Sequence, residues 1–138
     1  MGYSSSPFQL AKNYMPTDAI IVGHDADVSH ATTTWTLKKS IVLTGILNPK
    51  SLFRFKFDLR LTAGIGTAYG QIRRNGVIIG TEQSTGNTAF TTYTQDIVVT
   101  GWKRGDSIEL WLKAATADSS TARNFRLCGL GSEFEHGV

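Results

Sequence analysis

Residues 52–62 read LFRFKFDLRLT, with Phe53, Phe55, Phe57, Leu59 and Leu61 at every second position and Arg54, Lys56, Asp58 and Arg60 between them. A strand sends successive side chains to opposite faces, whereas a helix would scatter these apolar residues around its circumference. The segment is therefore predicted as a long strand with one apolar and one charged face. Burying five such side chains contributes on the order of 10 kcal/mol before entropy is subtracted, so this strand should anchor the core.

Reading outward, Thr67–Arg74 and Val77–Ile79 flank Asn75-Gly76, the pair that best tolerates two positive φ angles, which predicts a tight hairpin. Phe90–Thr100 is rich in β-branched and aromatic residues, with Tyr93, Ile97 and Val99 sharing a parity. Trp102–Asp106 reads as a turn, and Ser107–Lys113 alternates again, with Ile108, Leu110 and Leu112 opposite Glu109, Trp111 and Lys113. Arg123–Cys128 is predicted as a closing strand, and Ala19–Val22 and Thr34–Leu43 as early ones. No dozen-residue window carries helical spacing, and Gly, Thr and Ser interrupt the chain at short intervals. An all-β sandwich or barrel fits that rhythm, and the two-sheet antiparallel sandwich is the architecture expected. Thr32–Gly45 also aligns without gaps on Thr88–Gly101, both ending Ile-Val-apolar-Thr-Gly. Convergence of two strands with similar roles and duplication of a sheet half both account for it.

The 138 residues suit one domain, and 41% hydrophobic with 18% charged residues excludes a disordered tail, a collagen and a charged coiled coil. The longest apolar stretches, such as Ala19–Val22, are far below the roughly 20 residues of a membrane-spanning helix. Cys128 stands alone, so neither an intrachain disulfide nor a thiolate cluster is available. A net charge of +3 is too weak to demand a nucleic-acid partner, and few exposed aromatics interleave with the charges for base stacking. Residues 1–16 read as an N-terminal arm, 17–130 as the sandwich and 131–138 as a tail whose Gly131-Ser132-Glu133-Phe134 two adjacent cloning sites would encode.

The order of elements in the second half carries a resemblance. The aromatic strand, the Asn75-Gly76 hairpin, Gly105-Asp106 leading Ser107–Leu112, and Asn124–Gly129 together resemble the jelly roll of complement globular heads and tumour-necrosis-factor ligands, over about residues 32–130. Similar modules cap phage tail fibres and other virion or spore-surface proteins. The resemblance implies a jelly-roll topology, a compact homotrimer and attachment rather than catalysis. It transfers no ligand-contact residue.

Candidate chemistry is sparse. His24-Asp25-Ala26-Asp27, with His30 nearby, reads as a solvated turn rather than a metal site, because its ligands lack the spacing metals need. No serine stands in a Gly-x-Ser-x-Gly elbow, and Asp58, on one face with Lys56 and Arg60, reads as a member of a cross-strand or along-strand ion pair. Arg104-Gly105-Asp106-Ser107 spells an integrin-binding tripeptide with its favoured serine, yet Gly-Asp is ordinary turn chemistry. Arg54, Lys56 and Arg60, with Arg73 and Arg74 on a nearby hairpin, are expected either to form a basic stripe for phosphate or sulfated glycan, or to pair with acids such as Asp96 and Glu109. Trp111 has outward parity and Trp102 sits at a turn, so another subunit, the arm or a sugar ring should cover the outward tryptophan.

These readings favour a non-enzymatic module without cofactor or metal. It would self-assemble, as a trimer, for attachment at a virion or extracellular surface, with a glycan or host-surface receptor as partner. The alternative is a carbohydrate-binding module with Trp102, Trp111 and Tyr69 as platforms and Arg54, Arg60, Arg73 and Arg74 as hydrogen-bond donors. An all-β hydrolase would instead need two carboxylates across a cleft.

Overall fold

The computed structural model describes residues 12–15, 20–43, 51–63, 65–99, 101, 103–115, 117–129 and 132–135. Its strands are β1 (Lys12–Met15), β2 (Ile20–His24), β3 (Val28–His30), β4 (Thr36–Val42), β5 (Ser51–Ala63), β6 (Ala68–Arg74), β7 (Val77–Ile78), β8 (Gln83–Thr85), β9 (Thr91–Val99), β10 (Ser107–Ala114), β11 (Ser119–Cys128) and β12 (Ser132–Glu135). Two five-stranded antiparallel sheets face each other. The first runs β2–β11–β5–β9, with β3 also on β11; the second runs β4–β10–β6–β7, with β8 also on β6. This is the expected two-sheet jelly-roll sandwich.

The decisive alternation holds. Phe53, Phe55, Phe57, Leu59 and Leu61 on β5 are each at most 1% exposed. They meet Ile72, Ile108, Leu110 and Leu112 of the second sheet in one core, with Phe125 and Leu127 beside them. Gly70 on β6 lets the sheets approach, since a Cβ there would lie 2.8 Å from a Phe57 ring carbon. Asn75 and Gly76 take φ of 50° and 81°, the left-handed pair a two-residue hairpin requires.

β-Bulges change parity within β4 and β11. On β4, Leu37 pairs with Trp111 but Lys39 pairs with Leu110, so the extra residue Lys38 moves Leu37 outward while Lys39, Ile41 and Leu43 face the core. On β11, Arg123 opposes Asp58 and Arg126 opposes Lys56, with Asn124 at φ 54° between them. Ala122 therefore points inward on one side of the bulge, and Phe125 and Leu127 on the other. The strand expected over Arg123–Cys128 is present as β11, but it begins earlier, at Ser119, and lies in the middle of its sheet.

The segments predicted as arm and tail pair with each other, Lys12–Met15 against Ser132–Glu135, as a separate two-stranded sheet. The rest of both segments lies outside the described residues. The two echoing segments contain β4 and β9, the edge strands of opposite sheets. There Ile41 and Ile97 pack on the core while Val42 and Val98 are each 59% exposed, so equivalent edge roles produce the same alternation.

Candidate functional site

The outer face of the second sheet collects aromatic and cationic side chains. Tyr69, Gln71 and Arg73 project from β6, and Glu109, Trp111 and Lys113 from β10, because their register pairs them directly (Tyr69 with Lys113, Gln71 with Trp111, Arg73 with Glu109). Trp35, just before β4, joins them. The Arg73 guanidinium lies 4.1 Å from the Trp111 ring centre and 5.8 Å from that of Trp35. Lys113 Nζ lies 4.9 Å from the Trp35 centre and 4.8 Å from that of Tyr69. The groups form an alternating ladder, Trp111–Arg73–Trp35–Lys113–Tyr69, in which every member is partly exposed.

Hydrogen bonds fix the base of the ladder. Buried Glu109 accepts through Oε1 from the Trp111 indole N–H at 3.0 Å and from the Gly76 amide at 2.8 Å. Buried Gln71 accepts from Arg73 Nε at 3.0 Å. Glu82 reaches Lys113 only at 4.0 Å. Leu37 and Ile78, 42% and 55% exposed, flank the ladder beside Trp111 and Arg73.

Tyr69, Trp111 and Arg73 were expected as candidates and share this face. Trp102 lies outside the described residues. Trp35 was missed. Trp111 is half-buried, with the Arg73 guanidinium of the same chain over its ring and Glu109 taking its N–H.

A continuous basic stripe does not form, because β5 and β6 belong to different sheets and their outer faces point to opposite sides of the sandwich. Arg54 instead makes a two-pronged pair with the opposite Asp96, at 2.8 and 3.0 Å. Arg60 stacks 5.0 Å from the Phe90 ring centre, and its buried Nε has no hydrogen-bond partner. Asp58 accepts from Arg123 at 3.0 Å and from Asn124 at 2.9 Å, both across strands, so it is a member of a cross-strand ion pair. Glu109 pairs with no arginine at hydrogen-bond distance; it serves the indole and the hairpin amide.

Arg74 follows Arg73 and so leaves the opposite side of β6, reaching Asp106 at 3.1 Å and the Gly101 carbonyl at 2.6 Å. Asp106 is 6% exposed and also accepts from Asn75 at 3.0 Å and the Lys103 amide at 2.8 Å. Burial pushes its carboxyl upward, but the Lys103 amide, Asn75 and Arg74 outweigh this and hold it below the usual carboxylate range. Gly105, at φ 91°, shapes the turn that buries it. The Arg-Gly-Asp tripeptide is thus a structural turn whose aspartate is withdrawn from solvent.

The His24–Asp27 turn is exposed, and Arg126 at 2.9 Å holds the Asp25 carboxyl below its usual range. Beneath it, Lys39 is 2% exposed and donates to the His24 carbonyl at 2.8 Å, tying the second sheet to the first. Burial pushes the Lys39 pKa down, against the pull of Asp25 and Asp27.

A groove of about 440 Å³ lies elsewhere, between the Ile79–Thr81 loop and β9 residues Gln95–Val98. Its polar side chains are engaged: Gln95 holds both the amide and the carbonyl of Thr81, at 2.8 and 3.0 Å, and Asp96 holds Arg54. None of its lining residues is aromatic. The open ladder, rather than this groove, presents unsaturated binding groups.

No protein-family model and no curated protein matches the sequence. Solved structures match the fold. The insecticidal delta-endotoxin Cry8Ea1 of Bacillus thuringiensis aligns with 75% of this chain at 11% identity and a TM-score of 0.55. The CBM36-1 domain of a multidomain xylanase from the hindgut metagenome of Trinervitermes trinervoides aligns with 88% of this chain and 92% of its own length, at 15% identity and a TM-score of 0.50. The N-terminal CBM22-1–CBM22-2 tandem of Paenibacillus barcinonensis Xyn10C aligns with 85%, at 11% identity and a TM-score of 0.50. The chain spans 19% of the toxin and 46% of the tandem. At these identities the likeness establishes a β-sandwich fold, and the two-sheet jelly roll is what the complement-head resemblance shares with it. Among the described residues no helix is long and apolar enough to cross a membrane.

Proposed function

We propose that this chain is a non-enzymatic glycan-binding module that lays a polysaccharide along the outer face of the second sheet. The observation that carries this reading is the aromatic–cation ladder on an open sheet face. Partly exposed rings offer apolar surface to the C–H faces of sugars, and the cations and amide around them offer donors to hydroxyls. The rings are already clamped by Arg73 and Lys113, so little conformational freedom is left to lose on binding. Carbohydrate-binding modules among the solved structures of this fold are consistent with that use. Affinity electrophoresis through gels containing xylan, β-glucan or polygalacturonate tests it. At least one polymer should retard the protein, and the Trp35→Ala/Trp111→Ala double variant should lose that retardation by about tenfold or more. Unretarded migration in every polymer would overturn the reading.

A second reading is a surface-attachment module that self-assembles, as a trimer, at a virion or cell surface. It draws on Val42, Val77 and Ile78, which leave apolar surface along both edges of the same sheet. A monomeric mass by light scattering at micromolar concentration would remove it.

A further inference from the structure

We infer that the glycan this face takes is anionic, a polysaccharide bearing carboxylate or sulfate groups, with Arg73 as the group that selects it. The inference rests on the glycan reading of the same face and adds the ligand's charge. Arg73 donates through Nε to Gln71 and lies over two indoles, and among the described residues no carboxylate pairs with it. A ring engages only the flat face of a guanidinium. The donors on its two terminal nitrogens stay available for a planar anion, in the fork geometry that carboxylates and sulfates match.

The acids nearby do not cancel this charge in the same way. Glu109 is 7% exposed, with one oxygen committed to the Gly76 amide and the Trp111 indole. Glu82 stands at the rim, 4.0 Å from Lys113. A neutral glycan would leave Arg73 partly desolvated with no charge to answer it, whereas an acidic sugar lying on Trp35 and Trp111 would bring an anion to it. The partly buried, ring-backed setting also makes that contact stronger than a fully solvated pair.

Titration followed by intrinsic tryptophan fluorescence separates the cases, with polygalacturonate, a sulfated galactan and neutral xylan as probes. The expected result is binding of at least one acidic polymer about tenfold or more tighter than xylan, weakening as salt rises. Arg73→Gln should abolish that preference. Lys56→Gln removes the same charge from the opposite sheet and should leave it intact, which separates a built site from the net charge of the chain. The polygalacturonate and galactan arms distinguish carboxylate from sulfate. Equal or tighter binding of xylan would overturn the inference and leave the glycan reading standing. So would a preference for acidic polymers that Arg73→Gln does not change, or that Lys56→Gln weakens as much. Binding of none of the three would overturn the inference, and unretarded migration in the β-glucan gel as well would remove the glycan reading with it.

Discussion

Replacing Asp106 by alanine tests how the turn before β10 is held. Its carboxylate accepts from the Lys103 amide at 2.8 Å, Asn75 Nδ2 at 3.0 Å and Arg74 Nε at 3.1 Å, in a site only 6% exposed. Each hydrogen bond to a charged group contributes about 1.5–3 kcal/mol, and three that share one carboxylate and its desolvation cost add to less than their sum, so Asp106→Ala should destabilise by about 3–5 kcal/mol. That is a large part of the roughly 5–15 kcal/mol that holds a domain of ordinary stability. Urea unfolding followed by tryptophan fluorescence and circular dichroism reads the change, with an unaltered slope showing that the same surface is exposed. The sign of the pH dependence follows from the lowered folded pKa, set against an ordinary value of 3.8. The stabilisation is fully present above that value and is lost as pH falls through the folded pKa. The isosteric Asp106→Asn should therefore trail the parent protein at pH 7 and converge on it in acid. A loss under about 1 kcal/mol for Asp106→Ala, or a parent-to-Asn gap that is the same at pH 7 and pH 3, would refute the reasoning.

Gly70→Ala should lower stability by about 1–3 kcal/mol, because the added methyl would stand 2.8 Å and 3.1 Å from two ring carbons of the fully buried Phe57. A melting temperature equal to the parent's would show that the sheets separate freely there. Lys39→Met probes the buried ammonium. The Lys39 pKa is lowered, by burial above all, from an ordinary 10.5, so the unfolded chain binds the extra proton and the parent's stability should climb as pH rises toward that value. The variant should lack this component, and parallel stability curves from pH 7 to about 10 would sink the assignment.

The parts of the fold legible in the sequence are those that local alternation decides. On β5 no bulge interrupts Phe53 to Leu61, and on β10 Ile108, Leu110 and Leu112 face the core as their spacing requires. The Asn75-Gly76 hairpin is equally local, since its φ angles follow from residue type. The length and central position of β11 were hidden because Asn124 shifts the inward parity from Ala122 to Phe125, and a reader counting by two loses the strand there. Trp35 was hidden the same way. On plain alternation it shares parity with Ile41 and Leu43 and belongs in the core, yet the bulge at Lys38 puts its end of the strand on the other face. Tyr69, Arg73 and Trp111 carried a readable outward parity. That Arg54 and Arg60 stand on the opposite sheet depended on which distant strands pair, and no local spacing encodes that.

The two outer faces use their cations differently, and that difference separates a solvated surface from a binding one. On the first sheet Arg54, Arg123 and Arg126 sit against Asp96, Asp58 and Asp25 at 2.8–3.0 Å. A carboxylate consumes the directional donors of a guanidinium, so these residues close on themselves and offer little to a ligand. On the second sheet Arg73 and Lys113 lean on indole and phenol rings. A ring attracts the charge without taking its N–H groups, so apart from Arg73 Nε, which Gln71 takes, and the 4.0 Å approach of Glu82 to Lys113, the cations are held in place without spending their donors. Arg60 and Arg123 both lie over the Phe90 ring, at 5.0 and 3.9 Å, but Arg60 Nε is buried and Arg123 Nε is given to Asp58, so neither presents that donor to solvent. It follows that the number of cations on each face is a poor guide to affinity for an anion and that the identity of their partners is a good one. The first sheet should therefore tolerate loss of a charge such as Lys56 without consequence for anionic ligands, while the second sheet should not tolerate loss of Arg73.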